Sequence, residues 1–412
     1  MAEALARASA LSFLLLGAAL PWTVAPMSIT LVLCAALTVL LWQLPAGEPP
    51  IRWVRTPVDF PALAWIAALA IASFFAVDPS ASWPRVLKGF LLILVPVSAY
   101  QAGDGRAARR AVAALLASGA LAAVFALTRF ALDGPEFPNR VRGAVGHPLT
   151  YGGQAMLLGT LAAAIAIRCR GRWRWGALLT LGVLLPALAG TYTRSAWIGF
   201  IAALAVILAF TRARWLAALA GGVAALAVVL PGAYRARAFS IFDPQNPWNR
   251  ERVHMWEAGL RMLRDHPWTG VGLQDLHSLY ERYKSPGAVE PAGHLHSVYV
   301  HVAATMGIAG LLALAFLAWG LLRAASRGIR RYRRSPEERG RFGAAISLGV
   351  TAALVGFLVS GLMEWNLGDE ELVDLLYVLV GIAFSFAAAN HSLGAIENRR
   401  RTQATSPPSP AR

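Results

Sequence analysis

Long apolar runs are the feature that most constrains this chain. Runs of about 20 mainly apolar residues recur along the 412-residue sequence, and a helix of that length crosses the hydrocarbon core of a bilayer. The composition agrees, because 57% of the residues are hydrophobic and only 15% are charged, against about 45–50% and about 25% in soluble proteins. The sequence therefore predicts an all-α polytopic integral membrane protein.

The apolar runs predict about twelve transmembrane helices. We place them at residues 9–25, 27–43, 60–77, 86–101, 111–131, 149–168, 176–191, 195–211, 215–233, 297–323, 343–363 and 372–390. The expected units are 1–233 with spans one to nine, 234–296 as one long and partly helical outer loop, 297–390 with spans ten to twelve, and 391–412 as a disordered cytoplasmic tail. Cys34 and Cys169 lie far apart, in an apolar run and in a basic loop, so the sequence offers no disulfide framework.

The basic residues sort to one side of these spans. With a cytoplasmic N-terminus, 24 of the 38 lysines and arginines fall in the inner connections, as the positive-inside rule requires, and both ends are then cytoplasmic. The other 14 lie at the outer ends of spans or in outer loops, where that rule gives no reason for them. Seven of the eight histidines share this outer placement. An outer face rich in arginine and histidine indicates an anionic ligand, and guanidinium groups match phosphate oxygens well.

The long outer loop contains a predicted helix from about Asn249 to Asp265, with Asn249 as a possible N-cap. At helical spacing, an apolar stripe forms, and Arg252 falls at its edge. The stripe consists of Val253, Trp256, Leu260 and Leu263. A charge drawn toward the packed side needs a partner. Arg252 is therefore either a structural salt bridge or snorkelling residue, or an anion ligand that points into a cavity under the loop.

Three more arginines lie where the outer connections meet the spans. Arg194 occupies the connection of a few residues between spans seven and eight, so it is either a functional group or an interfacial anchor. Arg140 and Arg142 lead into span six, where Gly146 and Gly152 allow close backbone approach. One of these two arginines could be a surface charge only.

Histidines gather where the long loop becomes span ten, in the run His294-Leu295-His296-Ser297. A neutral imidazole there could act as a general base near neutral pH. Zinc ligands on a helix are expected four residues apart, and no carboxylate lies at a suitable spacing. The sequence therefore predicts no metal site and no cofactor.

The spacing His296-Ser297-x9-Gly307-x-x-Gly310 resembles the signature of O-antigen ligases, which are Wzy_C-type membrane glycosyltransferases. Flanking segments are similar too, and all lie in order on the predicted outer face. They are Arg252-x-x-x-Trp256, Asp265-His266-Pro267-Trp268-Thr269-Gly270-Val271-Gly272, Thr193-Arg194-Ser195 and Gly146-His147-Pro148. The resemblance covers roughly residues 140–390.

This resemblance implies a GT-C-like glycosyltransferase of the bacterial inner membrane, with its active site facing the periplasm. The implied reaction is an inverting, metal-independent transfer of O-antigen from undecaprenyl pyrophosphate to lipid A–core oligosaccharide, in lipopolysaccharide biosynthesis. The expected partners are these two lipid-linked substrates and membrane lipids, without nucleic acid, while the oligomeric state stays open. The resemblance implies that His296 is the general base. His294 is the second choice for the base, or it orients His296. Pyrophosphate binding is implied for Arg142, Arg194, Arg252 and Arg140, and Arg194 is also counted as catalytic.

Other activities remain open within and outside this superfamily. O-antigen polymerases and protein O-oligosaccharyltransferases share the plan, although one long outer loop favours a ligase, and the lack of a large soluble C-terminal domain disfavours protein glycosylation. An anion transporter is the alternative from another class of protein. Transporters favour charges near the midplane of the membrane, whereas the predicted spans here have almost no charge at their centres. The acids Asp369, Glu370 and Glu371 before span twelve could orient the catalytic histidine.

Overall fold

The computed structural model describes residues 2–43, 54–103, 105–134, 138–229, 231–332 and 337–405, and these residues contain helices and no strand. The α-helices are α1 (Ala2–Ala19), α2 (Val24–Gln43), α3 (Asp59–Phe74), α4 (Pro79–Val86), α5 (Leu94–Gln101), α6 (Arg106–Leu132), α7 (Pro148–Arg168), α8 (Gly171–Gly190), α9 (Arg194–Thr211), α10 (Leu216–Val229), α11 (Gly232–Phe239), α12 (Pro247–Asp265), α13 (His277–Tyr283), α14 (Val298–Arg331), α15 (Glu338–Ser360) and α16 (Glu370–Thr405). The all-α prediction is confirmed.

Eight stretches of the described chain are long and apolar enough to cross a membrane. They are Val24–Leu41, Pro79–Gln101, Arg106–Leu132, Pro148–Arg168, Gly171–Gly190, Arg194–Thr211, Val298–Arg331 and Gly340–Ser360. Three shorter apolar helices, at Ala4–Ala19, Asp59–Phe74 and Ala213–Leu226, coincide with other predicted spans, and α16 coincides with the twelfth. The polytopic architecture is therefore confirmed, while the count of twelve spans stays a prediction.

Helices α7 and α15 form the centre of the bundle. Nearly all of α7 is buried, and α15 packs against α7, α9 and α14. Small residues allow the close approach of α9 and α15, because a Cβ atom on Gly199 would lie 2.6 Å from the carbonyl oxygen of Gly356. Such small-residue contacts are the usual way in which membrane helices pack closely.

Helix α14 is broken at Gly307, whose φ of 65° and ψ of −160° are not helical. The segment after α12 supplies hydrogen bonds at this break, since the N–H of Val271 donates to the Ala304 carbonyl at 2.9 Å and the N–H of Ile308 donates to the Pro267 carbonyl at 2.8 Å. A Cβ on Gly307 would lie 2.4 Å from the carbonyl carbon of Trp268, so only glycine fits. The loop segment 266–272 and the glycine of span ten therefore form one structural unit.

The outer loop contains α11, α12 and α13. Helix α12 begins at Pro247 with Asn246 as its N-cap, three residues before the predicted cap. The predicted apolar stripe was wrong, because Val253 and Leu260 are 46% and 56% exposed. The buried face consists of Met255, Ala258, Gly259 and Met262. Small residues on this face let α12 approach α14. The side of α12 that packs is therefore a different one from the predicted stripe.

The last helix extends beyond the predicted end of span twelve. Helix α16 continues to Thr405, whereas the sequence predicted a disordered tail from residue 391. The first part of this segment has no proline to stop a helix. The proline-containing end of the predicted tail, residues 406–412, lies outside the described residues.

Candidate active site

A cavity of about 660 Å³ lies where the end of the outer loop and the first half of α14 meet the connection between α15 and α16. Residues from three other parts of the chain complete its wall: α3, the span that begins at α4, and the residue before α7. The polar lining residues are Arg85, Lys88, His147, His294, His296, His301, Thr305, Glu364, Asp369 and Glu370. The cavity therefore combines histidines and carboxylic acids, which can exchange protons, with the cations Arg85 and Lys88.

His296 lines this cavity and is held there by strained backbone and by a carboxylate. Its φ of 42° is in the left-handed region, which side chains other than glycine rarely adopt, and the next residue, Ser297, is the N-cap of α14. Nδ1 of His296 lies 2.7 Å from Oε1 of Glu364, and the imidazole side chain is 23% exposed. When Nδ1 donates to this carboxylate, Nε2 keeps a free lone pair for a proton from a ligand.

Glu364 connects His296 to Arg252. Oε1 accepts from His296 and, at 3.3 Å, from the N–H of Trp365, while Oε2 lies 3.2 Å from Nη2 of Arg252. Burial by itself would raise the pKa of the Glu364 carboxyl, but the hydrogen bond from His296 and the charges of His296 and Arg252 lower it further than burial raises it. The carboxyl is consequently ionised at neutral pH, although its side chain is only 6% exposed.

His294 lies beside His296, with 4.3 Å between ring centroids. Burial, followed by the charge of His296, lowers the pKa of His294 to about 4, so its imidazole is neutral in the physiological range. One ligating atom each of His294, His296 and Glu364 lies within 4.8 Å of the others, so by distance the three could hold a metal ion. The expectation that no carboxylate is suitably placed was therefore wrong. A cation would compete with Arg252 for Glu364, and the absence of a metal from the reaction stays a prediction.

Arg140 and Arg142 differ in how they are held. Arg140 donates from Nε to the Thr191 carbonyl at 2.6 Å and from Nη2 to Oγ1 of Thr193 at 2.9 Å, and burial lowers its pKa to about 10. Arg142 is exposed and forms no ion pair with any described carboxylate. Both line a second cavity of about 700 Å³ that also includes Gly146, next to His147 of the first cavity. Of the four arginines predicted to bind pyrophosphate, Arg142 is thus the one whose guanidinium is most available to a ligand.

Arg194 is buried, with 4% of its surface exposed, and its hydrogen bonds go to the outer loop. Nη1 donates to the carbonyl and hydroxyl of Ser240, each at 3.0 Å, and Nη2 donates to Oδ1 of Asn249 at 2.7 Å. Its Nε has no hydrogen-bond partner among the described residues. These contacts fasten the outer loop to the start of α9, and the role of Arg194 toward pyrophosphate stays a prediction.

Two residues of the site were missed by sequence reasoning. Glu364 is the first residue after predicted span eleven, and an acid at that boundary was the available signal. Among the described residues, His296 pairs with Glu364 and not with Asp369, Glu370 or Glu371, and Glu370 pairs with Lys88 at 2.8 Å. Arg237 donates to the Tyr192 carbonyl at 3.2 Å, and burial, with the charges of Arg140 and Arg252, lowers its pKa to about 10. No sequence motif marked Arg237.

Part of the site lies within a segment that matches a family model. Residues 179–315 match the family model Wzy_C, described as O-antigen ligase. The matched segment includes Arg194, Arg252 and His296, and it ends after the break of α14, whereas Arg140, Arg142 and Glu364 lie outside it. No curated protein matches the chain. The match covers about one third of the chain, and this segment is therefore similar to the O-antigen ligase family Wzy_C.

Proposed function

We propose that this protein is an O-antigen ligase, which transfers a glycan from undecaprenyl pyrophosphate to a sugar hydroxyl of lipid A–core oligosaccharide. The observation that carries the proposal is the chain of contacts from His296 to Glu364 to Arg252 at the cavity, with distances of 2.7 and 3.2 Å. A histidine fixed by a buried carboxylate is the arrangement that a general base requires. Cations beside it suit a donor whose leaving group is a pyrophosphate.

The proposed step uses His296 as the base. Nε2 takes the proton from the acceptor hydroxyl, and the hydroxyl oxygen bonds to the anomeric carbon of the donor glycan. The bond from that carbon to the pyrophosphate oxygen breaks, its electron pair leaves with the lipid pyrophosphate, and the anomeric configuration inverts. Glu364 stabilises the imidazolium that forms, since its carboxylate is ionised and hydrogen-bonded to Nδ1.

The leaving pyrophosphate needs fixed positive charge. Arg142 is exposed and free to bind phosphate oxygens, and Arg140 beside it is oriented by Thr191 and Thr193. Arg252 contributes charge while it is paired with Glu364. We keep Arg194 among the pyrophosphate ligands through its unpartnered Nε, with its other donors holding the loop.

We also propose a membrane location and an orientation for the protein. We place it in the bacterial inner membrane as a GT-C-like, twelve-span enzyme with both termini in the cytoplasm and the candidate site in the periplasm. The basic inner connections support this orientation. The segment 234–296 is then a periplasmic unit between the membrane parts 1–233 and 297–390, and its helix α12 supplies Arg252 to the site.

Complementation of two bacterial hosts tests the reaction class. One host lacks its ligase and the other lacks its O-antigen polymerase, and both are matched in glycan and core. We expect a lipopolysaccharide ladder to return in the first host only. A ladder that returns only in the polymerase-deficient host would replace ligation by polymerisation. Insertion in both hosts without any ladder would contradict both reactions for these substrates.

A further inference from the structure

A large groove, separate from the two cavities described above, lies between α6 and α8, at the end of α8 opposite to the candidate site. Its volume is about 1010 Å³, at the upper end of the range of about 300–1,000 Å³ for ligand sites. Helix α8 begins beside the groove at Gly171 and ends at Gly190, whose carbonyl accepts from Val141 next to Arg140 and Arg142. Its 20 residues give about 30 Å between the two regions, one hydrocarbon thickness.

One end of the groove is strongly basic. Arg106, Arg109 and Arg110 share one face of the first turns of α6, and Arg172 faces them from the first turn of α8. Among the described residues that line the groove, Glu338 is the one acid. None of the four arginines forms an ion pair with a carboxylate in the described part of the chain. Cations at helix N-termini also oppose the helix dipole, so this cluster favours an anion from outside the fold.

The rest of the groove is apolar and open sideways. The face of α6 that carries the arginines continues through Ala113, Ala117 and Leu121, and Leu179 lies on the facing side of α8. Leu121 and Leu179 are 63% and 72% exposed, so this part of the groove faces the hydrocarbon of the membrane. From Arg110 to Leu121 the helix rises about 16 Å, close to the depth of one leaflet.

A tryptophan N–H lies between the basic and apolar parts. Trp173 lines the groove next to Arg172, and its ring packs on Phe342 with 4.4 Å between centroids. Its Nε1 has no hydrogen-bond partner among the described residues. A buried indole N–H usually finds an acceptor, and an ester or phosphate oxygen at this depth would supply one.

We propose that this groove binds an anionic glycerophospholipid, with the headgroup phosphate on Arg109, Arg110 and Arg172 and one acyl chain along Ala113, Ala117 and Leu121. Charge complementarity favours this occupant, because the described lining of the groove has four arginines and one glutamate at headgroup depth. The exposed apolar part suits an acyl chain and excludes a water-soluble phosphate as the full ligand. The site is independent of the glycosyl-transfer proposal.

Native mass spectrometry of the full chain in neutral detergent tests the site. The delipidated protein is titrated with phosphatidylglycerol, with phosphatidylcholine of the same acyl chains, and with inorganic phosphate. The triple variant Arg109→Gln/Arg110→Gln/Arg172→Gln removes three of the four charges, and Arg170→Gln/Arg174→Gln is the control, because both residues flank Arg172, are exposed and lie outside the groove. Ala117→Trp fills the apolar part and keeps every arginine.

We expect phosphatidylglycerol to bind in preference to phosphatidylcholine, and the triple variant to weaken it by at least about tenfold. The control variant should bind as the wild type does, and Ala117→Trp should weaken binding with all charges present. Equal loss in the control, equal binding of the two lipids, or unchanged binding in Ala117→Trp would overturn the proposal. If the wild type forms a dimer and the triple variant does not, while the triple variant still binds lipid, the groove would be assigned to a second copy of the chain.

Discussion

The two ends of α8 carry arginine clusters that differ in how their charge is held. Near Gly190, Arg140 and Arg194 are largely buried, and each donates to acceptors of the protein itself. Near Gly171, Arg110 and Arg172 are exposed and form no ion pair with described residues. Arg140 and Arg194 of the first cluster are fixed in place before any ligand binds, and the exposed Arg142 beside them is not, whereas every arginine of the second cluster is free to adapt to a ligand.

This difference is what catalysis and lipid binding respectively require. A site that stabilises a leaving group gains from charges that need no reorganisation during the reaction. The carboxylate of Glu364 is the centre of that fixed arrangement, because it bonds both His296 and Arg252. A lipid headgroup is held by adaptable surface charge, for which side-chain freedom is no disadvantage.

Removing the carboxylate should break the fixed arrangement most strongly. In Glu364→Ala, Arg252 loses its partner while it is only 18% exposed, and we expect destabilisation of about 3–5 kcal/mol. Glycan transfer should fall by about 10²–10⁴-fold, because the base is no longer oriented. Thermal unfolding in detergent and initial transfer rates measure the two effects.

The double variant Glu364→Ala/Arg252→Leu separates the two roles of the carboxylate. Without the unpaired charge, much of the stability should return, while transfer stays low because His296 remains without its partner and the charge of Arg252 is also lost. Recovery of transfer together with stability would mean that Glu364 has only a structural role.

Arg142 should separate the two clusters by function. Arg142→Ala is expected to lower transfer by about 10²–10³-fold with little change in thermal stability, since the residue is exposed and forms no ion pair with the described part of the chain. The matched variant at the other end of α8, Arg110→Ala, should leave transfer near the wild-type rate. Equal losses in the two variants would show that general positive charge, and not position, matters.

His294 should matter less than its neighbour. Its imidazole is neutral, with a pKa lowered to about 4 by burial, and its ring contacts His296 without bonding Glu364. We expect His294→Ala to lower transfer by less than about tenfold, well under the effect of removing a base. A loss as large as that of a His296 variant would make His294 a partner in the proton transfer.

The smallest expected effect is a pH dependence of stability. Burial, followed by the charges of Glu364 and Glu371, raises the pKa of Asp369 from 3.8 to about 7. The folded state therefore prefers the protonated acid, and this contribution is complete below about pH 4 and lost as the pH rises through about 7. The unfolding temperature should fall over that window, and Asp369→Asn should flatten the fall. An unchanged slope in the variant would assign the dependence to other groups.

Local sequence patterns predicted much of this molecule. The apolar runs gave helices at the positions of all twelve predicted spans. A partner for Arg252 was also expected, and Arg252 does pair with Glu364, although the apolar stripe used in that argument lies on the wrong side of the helix. His296 was noted for its position where the loop becomes a span, and its role as base, which the family resemblance implied, stays a prediction. These inferences needed only neighbouring residues and the periodicity of a helix.

Long-range contacts explain what local patterns could not predict. Glu364 reaches His296 across 68 positions, and no spacing rule connects them. The buried face of α12 depends on its approach to α14 through Gly259, so apolar periodicity alone gave the wrong side. The break at Gly307 also depends on a distant segment, since the loop 266–272 supplies its hydrogen bonds.

The most direct test compares two histidine–carboxylate pairs in the same outer region. His296 pairs with Glu364 at 2.7 Å at the cavity, and His277 pairs with Asp275 at 2.5 Å with its side chain 60% exposed. Initial rates of glycan transfer are measured for purified His296→Ala and His277→Ala with the lipid-pyrophosphate donor. The account predicts a loss of at least about 10²-fold for His296→Ala and none for His277→Ala. Wild-type rates from a folded His296→Ala protein would contradict the assignment of His296 as the base.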